Sequence, residues 1–462
     1  MIDPFSSAHR IAGLVRKGEV SALEVTRVYL DRIAAQNEAL CAFTDITCER
    51  ALGAARALDE ARQAGRDLGP LAGVPFAVKN LFDIAGLPTR AGSKINREHA
   101  PAAQDALLVQ RLERAGAILT GALNMGEYAY DFTGENAHDG NSRNPHDLTR
   151  MSGGSSGGSG SATAAGLAPI SLGSDTNGSI RVPSSFCGIF GLKPTYGRLP
   201  RTGSFPFCDS LDHLGPLARS PRDLALAYDA MQGFDARDAA NAPRAPEPVM
   251  PHLDKGIGGL RIAIAGGYFD TQGMPEARAA VEAVAEALGA REIKDIAGAE
   301  ISRAAAFLIT NAESAAFHLD RLRARARDFD PDTRDRFLAG ALVPGVWLVQ
   351  AQRARRWFHD EMMKLFADVD LLIAPATPCT APLSGEKNLS FRSVTLPMRP
   401  NIGVFTQPIS CIGLPVAVAP VFSGRLPMGV QLIAPPWRED LCLRAAQVLA
   451  QSGCAAARPP GL

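Results

Sequence analysis

Residues 152–160 read SGGSSGGSG. By composition this is a flexible tether, because Gly and Ser bury little and restrict little. A tether sits in polar, featureless surroundings. Here the segment runs straight into SATAAGLAPISLGSD (161–175), which is small and apolar, and then into TNGSIRVPSSFCGIFGLKPT (176–195). That is the profile of a packed interior where backbones approach closely, for which Gly and Ser are the residues that fit. The stretch therefore reads as core, and the chain on either side of it as one fold.

Upstream, residues 5–65 carry apolar groups at helical spacing, and Ser21 followed by Glu24 is a capping-box helix start. From Leu71 the pattern changes to a short buried strand, LAGVPFAVKNLFDIAG, then a helix, DALLVQRLERAGA, then a strand, AILTGAL. Downstream, a second alternation begins at GLRIAIAGGYF and continues through an Ala-rich helix at 276–289. Residues 301–366 read as largely helical. VDLLIAPATP, LPVAVAPVF and LPMGVQLIAPP read as strands, and EDLCLRAAQVLAQSG as a closing helix. Alternation of this kind predicts an α/β protein, a layered sheet with helices on its faces. No internal repeat is visible.

The 462 residues are ordinary in composition, with 48 Lys+Arg against 48 Asp+Glu. No clustered positive charge calls for nucleic acid or an anionic membrane. The densest basic run, RLRARAR (321–327), is a solvated helix face or a partner or anion surface. Eight cysteines form no CxxC pair, and eight histidines form no HExxH, so neither a disulfide framework nor a metal site is expected. The N-terminus lacks the basic and apolar regions of a signal peptide, and no apolar window approaches a membrane span. A soluble, cytoplasmic protein is expected.

The segment GGSSGGSGSATAAGLAPISLGSDTNGSIRVPSSFCGIFGLKPT, with VPFAVKN (74–80) and NMGEYAY (124–130) upstream, resembles the defining region of the amidase signature family. The resemblance covers essentially the whole chain. It implies the amidase signature fold, a central mixed β-sheet with helices on both faces, as a single domain of residues 1–462. Within it stand an N-terminal helical arm (1–65), a catalytic core (66–230), a partly helical substrate-side region (231–366) and C-terminal strands and helix (367–462).

It also implies a Ser-cisSer-Lys triad of Ser179 as nucleophile, Ser155 as relay and Lys79 as base. The backbone N–H groups of Thr176, Asn177, Gly178 and Ser179 are implied as the oxyanion hole. The chemistry accounts for the residue types. A serine hydroxyl needs its proton taken during attack, and a lysine can take it only when neutral. At an unshifted pKa roughly one lysine in a few thousand is neutral at pH 7; burial removes most of that deficit. Asp175 and Arg181 flank the loop and are expected to pair and fix its shape. Asn177 stands where most family members have a second glycine. Asparagine tolerates positive φ, so the turn can survive, and its amide is a polar group new to this region.

The largest subgroup of the family is the glutaminase component of tRNA-dependent amidotransferases. Its members hold the glutamine ammonium with an aspartate whose place here is Gly403, and a tyrosine of that site is replaced near Ala324. Both losses point away from an amino-acid substrate. NPHD, FPFCDSLDHLGPLA, RAAAFLIT, HLDRLR and PMGVQLIAPPW resemble a branch that takes a small, flat, anionic ureide. Such a substrate calls for a cation, with Arg336 first and Arg323 second, and for pocket-wall residues, among them His213, Tyr128 and Asp131. No metal or organic cofactor is implied. A small helical companion subunit is implied, with two catalytic chains and two companions in a heterotetramer.

Overall fold

The computed structural model describes residues 2–391 and 394–461. Its centre is an eleven-stranded mixed sheet. In chain order the strands are β1 (Phe43–Ile46), β2 (Pro75–Lys79), β3 (Ile118–Leu123), β4 (Ile170–Asp175), β5 (Phe190–Lys193) and β6 (His213–Ala218). They continue as β7 (Ile262–Gly266), β8 (Glu292–Asp295), β9 (Leu371–Pro375), β10 (Val416–Val421) and β11 (Met428–Ile433). Across the sheet they lie in the order β1-β3-β2-β4-β6-β5-β10-β11-β9-β7-β8. The two flanks, β3-β2-β4 and β9-β7-β8, are parallel, and the middle from β4 to β9 is antiparallel.

Every residue of β2, β4, β10 and β11 is buried. Strands buried on both sides read as continuous apolar runs and require helices on both faces, which is the architecture observed. One apolar core runs from Ile2 and Ile11 through Phe76, Leu172 and Leu192 to Leu432 and Leu449.

The Gly/Ser stretch is part of that interior. Gly157–Ala164 is a helix with every residue buried. A Cβ on Gly158 would stand 2.4 Å from the carbonyl oxygen of Ala42 and 2.6 Å from the backbone N and O of Asn124. No side chain fits, so glycine is there for close approach and not for flexibility.

The N-terminal arm departs from expectation in one respect. Three helices (Ala8–Lys17, Ala22–Leu40 and Cys48–Gln63) are present, and the second starts with the Ser21/Glu24 capping box. Between them FTDI adds β1 to the sheet edge, antiparallel to β3. With only four residues and one of them buried, it carries no periodicity to read; its pairing is tertiary. Five of the eight thiols are buried and none is bridged.

Candidate active site

Lys79 ends β2 and Ser174 is the last residue but one of β4. The parallel register pairs Val78 with Leu172, so both side chains leave the sheet at its carboxyl edge, where open α/β sheets bind ligands. Lys79 Nζ lies 2.7 Å from Ser155 Oγ and 2.8 Å from Ser174 Oγ, with all three residues buried. Ser155 sits just before the buried Gly157–Ala164 helix, and the Gly154–Ser155 peptide bond is cis. Burial pulls the Lys79 ammonium down to about 7, against the upward pull of the Asp212, Asp175 and Asp131 carboxylates. Desolvation wins because none of these carboxylates pairs with Nζ.

Ser179 follows β4 in the turn that leads into helix Arg181–Cys187. The turn is clamped from below. Arg181 Nε and Nη2 each lie 2.9 Å from a carboxylate oxygen of Asp175, and Nη1 donates to Gln431 Oε1 and the Thr406 carbonyl. Burial alone would raise the Asp175 carboxyl; the Arg181 guanidinium reverses this and holds it well below the usual range. Thr406 Oγ1 donates to the Asn177 carbonyl at 2.7 Å. The left-handed φ of the turn falls on Gly178 (139°), not on Asn177. A Cβ on Gly178 would stand 2.2 Å from Thr406 Oγ1, so glycine is required there twice over. Among the described residues the backbone N–H groups of Thr176, Asn177, Gly178 and Ser179 donate to no protein acceptor. Buried donors left open together are uncommon, and four in one turn form a cradle for a negative oxygen.

Ser179 opens on a pocket lined by Tyr130, Asp131, Phe132, Asn177, Thr310 and Arg336, with Phe207, Phe307 and Gln407 completing the wall. Its free volume is about 10 Å³, room for about one water. Arg336 Nη1 donates to the Tyr130 carbonyl at 2.9 Å, and its guanidinium lies 3.6 Å from the centre of the Tyr130 ring. Among the described residues it pairs with no carboxylate. Asp131 is committed elsewhere: it accepts from Thr133 and Gly134 and pairs with Arg399 at 2.6 Å.

Three of the expected pocket residues lie outside it. The Arg323 side chain is 71% exposed and faces Asp320. Tyr128 is buried against His318, Phe205 and Phe329, and the tyrosine on the pocket is Tyr130, two residues on. On a segment without regular periodicity the sequence cannot tell which of two tyrosines faces inward. His213 lies beneath the turn. Its Nδ1 donates to the carbonyls of Leu211 and Asp175, and burial holds the ring neutral. Ala324 is exposed and away from the pocket. At Gly403 a Cβ would stand 2.5 Å from the Phe132 ring, so an aromatic side chain fills the space where an acidic side chain would project.

Sequence reasoning misses Ser174, Phe207, Phe307 and Thr310 as site residues. Ser174 has one usable signal, its position at the end of the strand beside VPFAVKN. Phe307 and Thr310 have none, because they reach the pocket from a 27-residue helix, Ala299–Arg325.

The model of the amidase family matches residues 24–443. The chain belongs to the amidase family and is an amidase-type hydrolase. Among its relatives is AtzE, a 1-carboxybiuret hydrolase component of Pseudomonas sp. (strain ADP), 54% identical over 444 residues, covering 96% of this chain and 97% of that protein. A glutamyl-tRNA(Gln) amidotransferase component of Carboxydothermus hydrogenoformans is 36% identical, with 97% of each chain covered. A solved structure, described as a vestigial protein complex revealing the origins of an s-triazine catabolic enzyme, superposes with a TM-score of 0.97 at 53% identity. It covers 98% of this chain and 100% of that one. No helix among the described residues is long and apolar enough to cross a membrane.

Proposed function

We propose that this chain hydrolyses a small anionic ureide, 1-carboxybiuret, at its terminal C–N amide bond, giving urea-1,3-dicarboxylate and ammonia. The observation that carries the substrate is the 54% identity, across nearly the whole of both chains, to a component of a 1-carboxybiuret hydrolase. One feature of the pocket supports it: the wall includes an arginine, Arg336, with no carboxylate partner among the described residues.

In this reading Ser179 Oγ attacks the terminal carbonyl carbon. Its proton passes to Ser155 Oγ while the Ser155 proton passes to neutral Lys79 Nζ. The carbonyl oxygen becomes an oxyanion held by the open N–H groups of residues 176–179; losing one such donor costs about 10²–10³ in rate. Collapse breaks the C–N bond, the proton returns from Lys79 through Ser155 to the leaving nitrogen, and ammonia departs. Water then hydrolyses the ester on Ser179 by the same relay. Arg336 pairs with the substrate carboxylate, and Asp131 shapes the wall through its bond to Arg399. Ser174 holds Lys79 from its second side.

The glutaminase reading is disfavoured at Gly403, where the Phe132 ring occupies the space an ammonium-binding acid would need. We also infer a companion subunit, two of each chain per assembly, acting in the cytoplasm. Supporting it is a run of exposed apolar side chains where helices Pro331–Gly340 and Gly345–Asp368 meet: Leu338, Leu342, Val346, Trp347 and Val349. Solvated proteins rarely leave such a patch uncovered.

The test is ammonia release from freshly generated 1-carboxybiuret, with glutamine, biuret and allophanate in parallel and Ser179→Ala as control. Each is run with and without a co-expressed small subunit. Turnover of 1-carboxybiuret that disappears in the variant supports both nucleophile and substrate. Turnover of glutamine instead overturns the substrate.

A further inference from the structure

Of the residues lining the pocket, Asn177 alone carries a buried side-chain oxygen or nitrogen without a hydrogen-bond partner among the described residues. The atom is Oδ1. Two bonds fix its surroundings. Asn177 Nδ2 donates to Thr310 Oγ1 at 2.8 Å, which ties the nitrogen side of the amide to helix Ala299–Arg325. The Asn177 carbonyl accepts from Thr406 Oγ1 at 2.7 Å, which pins the backbone that carries it. The residue is 8% exposed, and the pocket beside it has room for about one water.

A buried acceptor left unpaired is costly in the empty protein, and the cost is recovered when a ligand supplies the missing donor. Asn177 directly precedes Gly178 and Ser179, so a group reaching Oδ1 belongs to the part of the substrate close to the reacting carbonyl. On the side of that carbonyl away from the leaving nitrogen, a ureide carries an N–H. A carbon-chain amide carries a CH₂ there and offers no donor on that side.

We propose that Asn177 is the residue by which this enzyme distinguishes ureides from carbon-chain amides. Its Oδ1 accepts the substrate N–H adjacent to the scissile carbonyl, and Thr310 is the positioning residue that holds the amide with its oxygen free. This rests on the amidohydrolase reading above and adds to it the group that selects the nitrogen. Neither the Ser179 chemistry nor the Arg336 carboxylate site requires such an acceptor.

The experiment compares two competitive inhibitors of 1-carboxybiuret hydrolysis, biuret and malonamide. They match in size and differ in one N–H against one CH₂. The wild-type enzyme is expected to bind biuret at least about tenfold more tightly, a typical return for one hydrogen bond in a dry site. In Asn177→Leu, close in size and lacking the acceptor, the two inhibition constants should fall within about threefold of each other while that of malonamide changes little. A merely damaged pocket would weaken both inhibitors alike, and that result overturns the assignment. Thr310→Val, which leaves Asn177 in place but frees its amide to turn, should lower the preference and provides the test if Asn177→Leu does not fold. Equal binding of the two inhibitors by the wild type, or a preference for malonamide, would mean that no acceptor meets this N–H, and the proposal falls. An unchanged preference in both variants also overturns it while leaving the substrate intact. Failure of the wild type to release ammonia from 1-carboxybiuret would overturn the substrate reading itself, and this inference with it.

Discussion

Lys79 is placed where only a neutral amine is comfortable, and two measurable consequences follow. A base of pKa about 7 is half protonated near neutrality, so kcat/KM should rise with pH up to about 7 and level off above it. A flat profile between pH 5 and 8 would exclude Lys79 as the base. The second consequence concerns stability. The folded value lies below the unfolded value of 10.5, so folding disfavours the proton. The resulting cost is absent above the unfolded value, grows as pH falls from about 10.5, and is complete below about 7. Lys79→Met should therefore be inactive yet more stable at pH 7 by a few kcal/mol, read as a higher urea midpoint, with the gain disappearing toward pH 11. At this scale the sequence was most informative for Lys79 and Ser155, which its motifs single out from segments far apart in the chain and the fold brings to 2.7 Å of each other. It was least informative for Tyr128 and Arg323, which have the right chemistry and face the wrong way.

The Gly157–Ala164 helix and the turn before Arg181–Cys187 owe their stability to packing and buried charge, not to propensity. In an isolated helix Gly158→Ala would gain about 1 kcal/mol. Here the added Cβ meets the backbone of Ala42 and Asn124, which cannot swing aside, and overpacking of this kind costs about 1–3 kcal/mol or more. The variant should be less stable than wild type by thermal unfolding; a stabilised variant would mean that the segment is looser than its burial indicates. Arg181→Met removes one partner of a fully buried pair and leaves Asp175 charged and unpaired, which costs about 3–5 kcal/mol. Ammonia release should fall with it, because the open N–H groups lie in the turn that this pair supports. The Ser21/Glu24 cap was legible because all its bonds are local. Strand β1 was not, because four residues hold no pattern and their order comes from pairing with β3.

Across the whole molecule, the sheet draws its strands from residues 43 to 433 and shares one apolar core. We propose that the chain is one cooperative unit, so its denaturant unfolding should follow a single transition by fluorescence and by circular dichroism alike. Two resolved transitions would separate the 231–366 region from the rest. The exposed apolar run from Leu338 to Val349 should be covered in the working assembly: Leu342→Glu with Val346→Glu is expected to lower the mass of the co-expressed complex in light scattering. The sequence by itself determined the α/β class and the reading of SGGSSGGSG as interior, and its ordered motif singled out Lys79, Ser155 and Ser179 through a family resemblance. These follow from local composition, periodicity and ordered motif. Only the tertiary structure decided that Ser174 shares Lys79, that Tyr130 rather than Tyr128 borders the pocket, that Phe132 fills the space over Gly403, and that Asn177 keeps an unpaired oxygen. Each of these is a contact between residues far apart in the chain or a choice of side-chain direction, and neither leaves a trace in local sequence.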